Sequence, residues 1–141
     1  MPDESLVSYC GLYCGDCHGY TGSIADLARD LRKELRKNKF DEVAKVIPFK
    51  EFKNYQECYE CLGAMVKLRC KGCRGGFRSK FCEIAKCALK NEYQGCWQCE
   101  KFETCEKFEF LKPVHKDANL KNLRKIKRQG IESFIKGKKH W

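Results

Sequence analysis

Apolar residues recur at helical spacing in several stretches of the chain. Ile24, Leu27, Ala28, Leu31 and Leu35 fall three and four apart with charged residues between them. This predicts an amphipathic helix with Ser23 as its cap. A second helix is predicted over Asp41–Ile47, and Pro48 opens a third. In that third stretch Phe52, Tyr55, Tyr59, Leu62, Met65 and Val66 keep the same period. A short helical piece is expected over Glu83–Leu89. After a loop containing Pro113, Leu120, Leu123 and Ile126 line one side of a last helix, which Asp117 can cap and Gly130 can end. A short amphipathic turn, Ile131–Ile135, closes the chain.

Alternating apolar and polar positions are weak throughout, so little sheet is expected. No apolar run approaches the ~18 residues that suggest a membrane span. With 141 residues, 43% of them hydrophobic, the chain fits one ordinary domain with a modest core. The expected fold is therefore a small, α-rich, irregular and metal-stabilised domain over residues 1–141. Its helices would pack around cysteine knuckles, with a basic C-terminal helix over 117–129 and a short tail.

Cysteine changes this picture most. The chain has twelve. The N-terminal MPDESLVSYC is acidic and lacks a basic-then-apolar signal pattern, so a cytoplasmic location is expected. In a reducing compartment cysteines read as metal ligands rather than as a disulfide framework. Four C-x-x-C pairs occur: Cys14/Cys17, Cys58/Cys61, Cys70/Cys73 and Cys96/Cys99. Two intervening residues let the chain fold back so that both sulfurs reach one ion at ~2.3 Å. Glycine helps the first, third and fourth pairs make that turn. Cys58-Tyr-Glu-Cys61 has no turn residue and lies inside the helical period, so these two cysteines are expected to pack as small apolar helix residues.

Ten candidate ligands remain: Cys10, Cys14, Cys17, Cys70, Cys73, Cys82, Cys87, Cys96, Cys99 and Cys105. A structural zinc takes four. Cys70, Cys73, Cys82 and Cys87 can form one local site, while Cys96, Cys99 and Cys105 can join a cysteine of the opening. Spacing does not decide this connectivity. Zinc is the expected metal, with an iron–sulfur cluster as the alternative, since such clusters also use thiolates.

Three sharper readings of the opening are weaker. Cys14-Gly-Asp-Cys17-His18 matches the haem-attachment pattern but lacks an export signal. Cys10, Cys14 and Cys17 have the spacing of radical enzymes that bind a four-iron cluster, yet the chain lacks their alternating strands and helices. A redox dithiol normally sits near a βαβ pattern, which is absent here. His18 reads as a surface or outer-shell residue. No acid–base pair or nucleophile motif emerges, so an enzyme is not expected.

The cysteine motifs together resemble an uncharacterised prokaryotic family of small cysteine-rich proteins, a domain of unknown function. The stretches that carry the resemblance are Cys10–Tyr20 (CGLYCGDCHGY), Cys70–Gly76 (CKGCRGG), Cys82–Ala88 (CEIAKCA) and Cys96–Cys105 (CWQCEKFETC). The tail Asn122–Trp141 is also similar. In such proteins a proline more usually follows the third cysteine, where this chain has His18. The resemblance implies metal binding, usually of zinc, through the ten cysteines, and does not require Cys58 or Cys61. It implies no activity.

The formal net charge is +10. Residues 112–141 hold ten Lys/Arg against two Asp/Glu, and residues 1–111 hold nineteen against seventeen. Two four-thiolate zinc sites, each carrying −2, would bring the first 111 residues to about −2. The basic character therefore belongs to the tail, where Lys121, Arg124, Lys125, Lys127, Arg128, Lys136, Lys138 and Lys139 cluster. These can contact polyanions, with Phe77, Phe81 and Trp97 as possible stacking faces. The competing reading is a solvated helix face whose apolar side docks on the core. The expected function is a metal-binding interaction module with a protein or nucleic-acid partner; the alternative is an iron–sulfur or thiol redox protein.

Overall fold

The computed structural model describes residues 3–75 and 81–141. Its helices are α1 (His18–Thr21), α2 (Ser23–Lys37), α3 (Phe40–Val46), α4 (Tyr55–Met65), α5 (Glu83–Lys90), α6 (Lys112–His115), α7 (Ala118–Gln129) and α8 (Ile131–Lys136). Short 3-10 turns fill much of the chain between them. Among the described residues no sheet forms, and extended pairing is confined to one antiparallel bridge between Val7 and Tyr13. The fold is α-rich. Contacts divide the chain into two compact units, one of Thr21–Arg69 and one that joins Met1–Tyr20 to Cys70–Trp141.

In the Thr21–Arg69 unit, α2 starts one position earlier than a Ser23 cap implies. Gly22 holds the cap position, and Ser23 is the first helical residue. Asp26 lies in the first turn, and Arg36 and Lys37 in the last, as the helix dipole favours. The buried residues of α2 are Ala25 and Ala28, while Leu27 is 71% exposed. The expected apolar face of this helix is thus only partly used. Small residues allow α2 to pack closely on α4. Aromatic rings supply the rest: Phe40 meets Phe52 edge-on at 5.4 Å and Tyr55 at 5.5 Å, and Tyr55 lies 6.2 Å from Tyr59. The Arg32 guanidinium sits 4.3 Å from the Tyr59 ring centroid, and Arg36 donates a 2.8 Å hydrogen bond to the Tyr59 hydroxyl. Cys58 and Cys61 are on α4, as the period predicts, but both are exposed rather than packed.

The second unit has one apolar core. Val7, Tyr9 and Leu12 of the opening meet Ile84, Ala85 and Ala88 of α5, Trp97, Phe102 and Phe108 of the turns, Leu123 and Ile126 of α7, and Phe134 and Ile135 of α8. Full burial of Phe134 alone is worth roughly 2–3 kcal/mol. Pro113 lies at the start of α6 rather than in a loop; its missing N–H costs nothing in a first turn. Asp117 occupies the cap position of α7, but its carboxylate pairs with Lys121 at 3.2 Å instead of capping. The tail is tied down by Asn122, which is fully buried. Its amide donates to the His140 carbonyl at 2.7 Å, and its Oδ1 accepts from the His140 N–H at 2.9 Å.

Candidate metal centre

All ten candidate ligands belong to the unit that joins the opening to residues 70–141. Two of the C-x-x-C pairs are bent by the same device. Cys14–Asp16 and Cys96–Gln98 are 3-10 turns in which the N–H of the second cysteine donates to the carbonyl of the first, at 3.0 Å in both. At the second turn the Trp97 ring folds back over Gly95. A Cβ on Gly95 would fall 1.9 Å from that ring, so only glycine fits.

The first group is built from the opening and the Cys70–Cys73 knuckle. The Cys70 N–H donates to the Gly19 carbonyl at 2.8 Å. A Cβ placed on Gly19 would lie 3.6 Å from Cys17 Sγ and 3.6 Å from Cys70 Cβ, so the two cysteines flank one point. Arg74, beside Cys73, donates to the Val7 carbonyl at 2.8 Å and to that of Gln94, and lies 4.4 Å over the Tyr9 ring. Cys17 and Cys70 are thereby brought side by side, each with its C-x-x-C partner in the adjoining turn.

The second group surrounds Cys96. Its N–H donates to the Tyr9 carbonyl at 2.9 Å, which brings the C-terminal turns onto the opening. Cys10, Cys105, Cys87 and Cys99 all lie within electrostatic reach of the Cys96 sulfur. Burial, with these neighbouring thiols adding to it, pushes the Cys96 thiol up to about 12. Burial also raises Cys10; hydrogen bonds to its sulfur from Ser8 and from the Leu12 backbone oppose that shift, and Cys82 and Cys14 add to it. Cys82 precedes α5 and Cys87 lies on it, while Cys105 ends the turn Phe102–Thr104. Cys10, Cys82, Cys96 and Cys105 pack against the apolar core. Cys70 lies beside Cys17, and Cys87 lies within electrostatic reach of Cys96.

All twelve cysteines stand as thiols. Among the described residues, no three Cys, His, Asp or Glu side chains converge into a finished metal-holding group. The cysteines are gathered without four sulfurs closing on one point. Two of them have hydrogen-bond partners at sulfur. Ser8 Oγ lies 3.1 Å from Cys10 Sγ, and Asn91 Nδ2 donates to Cys87 Sγ at 3.7 Å. Such donors orient ligating sulfurs and offset their charge. The donor set is soft, and it fits zinc or an iron–sulfur cluster.

The basic tail docks on this unit through its apolar side. Gly11, with φ of 90°, lies against α7 so closely that a Cβ would come within 3.1 Å of the Asn119 carbonyl. Much of the charge is engaged within the chain. Arg124 forms a paired contact with Glu103 at 2.7 and 2.6 Å, and Lys136 meets Glu132 at 2.7 Å. Lys125 donates to the Lys138 carbonyl, and Lys139 to that of Ile135 at 2.8 Å. Trp97 is only 8% exposed, which removes it as a stacking face. Phe81 is 68% exposed, and Phe77 lies outside the described residues.

A family model described as protein of unknown function (DUF3795) matches residues 6–110. The chain belongs to this family. The DUF3795 match spans all ten candidate ligands and stops before α7, so the resemblance of the tail lies outside it. No curated protein and no solved structure matches the chain. Among the described residues, no helix is long and apolar enough to cross a membrane.

Proposed function

We propose that this DUF3795 chain is a zinc-binding protein of the reducing cytoplasm, whose metal holds together the unit containing the ten cysteines. One observation supports the reading: Cys10, Cys87, Cys99 and Cys105, from four separate stretches, lie within electrostatic reach of Cys96, in a unit that also gathers the other five. Cys14, Cys17, Cys70 and Cys73 supply one four-thiolate site. The second is drawn from Cys10, Cys82, Cys87, Cys96, Cys99 and Cys105, with two sulfurs left over. Closing each site takes side-chain rotation and loss of the thiol protons, so metal binding and folding are coupled. Acting as a scaffold, the metal presents the surface of the unit to a partner, and the family assignment adds no chemistry beyond that.

Metal analysis and visible spectroscopy of anaerobically purified protein test this reading. Colourless protein with close to two zinc per chain supports it. Brown protein whose visible absorption is bleached by reductant replaces zinc with an iron–sulfur cluster on the same thiolates. Metal-free, fully reduced protein with an unchanged melting temperature overturns both.

A further inference from the structure

Cys58 and Cys61 stand outside the ten. Both are exposed, both lie on α4, and both belong to the Thr21–Arg69 unit. Residues three apart on an α-helix share a face. Helical rise and radius put their Cα atoms about 5 Å apart. That falls within the roughly 4.4–6.8 Å that a disulfide spans. Apolar packing does not account for two exposed thiols on one face.

We propose that Cys58 and Cys61 form a reversible dithiol–disulfide centre, oxidised by a low-molecular-weight disulfide such as glutathione disulfide. One cysteine, as thiolate, attacks the sulfur–sulfur bond of the oxidant. A mixed disulfide forms, and one glutathione thiolate leaves. The second cysteine loses its proton and attacks the protein sulfur of that mixed disulfide. The Cys58–Cys61 bond forms, and the second glutathione thiolate leaves. Two electrons and two protons pass from the dithiol, and two reduced glutathione molecules result.

Helix geometry makes the centre reversible. Cβ atoms at this spacing lie about 5–6 Å apart. A disulfide prefers roughly 3.5–4.5 Å, so closing it tightens a turn of α4, and strained, exposed disulfides are readily reduced. Tyr59 lies in that turn. Its ring carries Arg32 at 4.3 Å and its hydroxyl accepts from Arg36 at 2.8 Å, both from α2. Oxidation therefore changes how α4 packs on α2.

Treating the full-length, metal-loaded protein anaerobically with glutathione disulfide, followed by differential alkylation and peptide mass mapping, tests the centre. The Cys58–Cys61 peptide should lose two hydrogens before the other ten cysteines react, with bound metal retained. Reduced glutathione should restore it, and the tyrosine near-ultraviolet circular dichroism should shift and return. Cys58→Ala should stop at a glutathione adduct on Cys61. A lasting adduct on the wild type without an internal bond would overturn the proposal, as would Cys58 and Cys61 staying reduced while other cysteines oxidise. Peptide mapping reads the pair whether or not metal is present, so failure here is distinguishable from failure of the zinc reading.

Discussion

A Cβ on Gly11 would lie 2.9 Å from Leu123 Cγ, because the opening loop crosses directly over α7. Leu123 has no exposed surface, and Gly11 has a positive φ of 90°. Gly11→Ala should therefore destabilise the protein by at least about 1 kcal/mol from backbone strain alone. Leu123→Ala should cost about 2–5 kcal/mol, through lost burial and a cavity. Denaturant melts of both variants check this. Wild-type stability in either would detach α7 from the opening.

The two classes of cysteine should separate under mutation. Cys73→Ser is expected to lower bound metal by one equivalent and to reduce the melting temperature. Cys58→Ala with Cys61→Ala should leave metal content unchanged and alter stability only slightly, since both side chains are exposed. Metal analysis and thermal melts of the three proteins decide it. Loss of a full equivalent from the double variant would bring α4 into the metal chemistry.

The raised thiols make a prediction for metal-free, reduced protein. Cys96 ionises near 12 in the folded chain, against about 8.5 for an unfolded cysteine. A raised pKa means the folded state holds its proton more tightly. The resulting stability is complete below about 8.5 and is lost as pH climbs towards 12. Melting temperature should fall steadily from pH 8.5 upward without metal. With zinc bound the sulfurs are already deprotonated, and that decline should vanish.

Polyanion binding, if it occurs, should be weak, sequence-tolerant and steeply salt-dependent. Replacing Lys121, Arg124, Lys125 and Arg128 with Gln should abolish it and leave metal content intact. Glu103→Gln should strengthen it by releasing Arg124, whose exposed ion pair contributes no more than about 1 kcal/mol to stability. Filter binding to single- and double-stranded DNA and RNA at low salt measures both effects. No binding to any of them leaves α7 as a structural helix with a charged outer face.

The sequence by itself determined what depends on neighbours within a turn or two. Helical spacing placed α2, α3, α5 and α7 to within a few residues, because each helix is built from hydrogen bonds four residues apart; α4 begins only at Tyr55, seven residues past Pro48, after a 3-10 stretch over Lys50–Asn54. The same period put Cys58 and Cys61 on a helix, and Gly95 before Cys96 signalled a tight turn. Tertiary structure decided what depends on chain ends meeting. Which side of α2 is buried follows from its packing against α4, and Ala25 and Ala28 prevail over the larger Leu27. Cys70 lies by Cys17, and Cys96 by Cys10, because backbone hydrogen bonds to Gly19 and Tyr9 close long loops. Trp97 reads as a surface aromatic until its ring folds over Gly95, and Arg124 as unengaged charge until Glu103 meets it. Loop closure joins residues that share no local pattern, and its cost grows only slowly with length, so spacing along the chain carries little record of it.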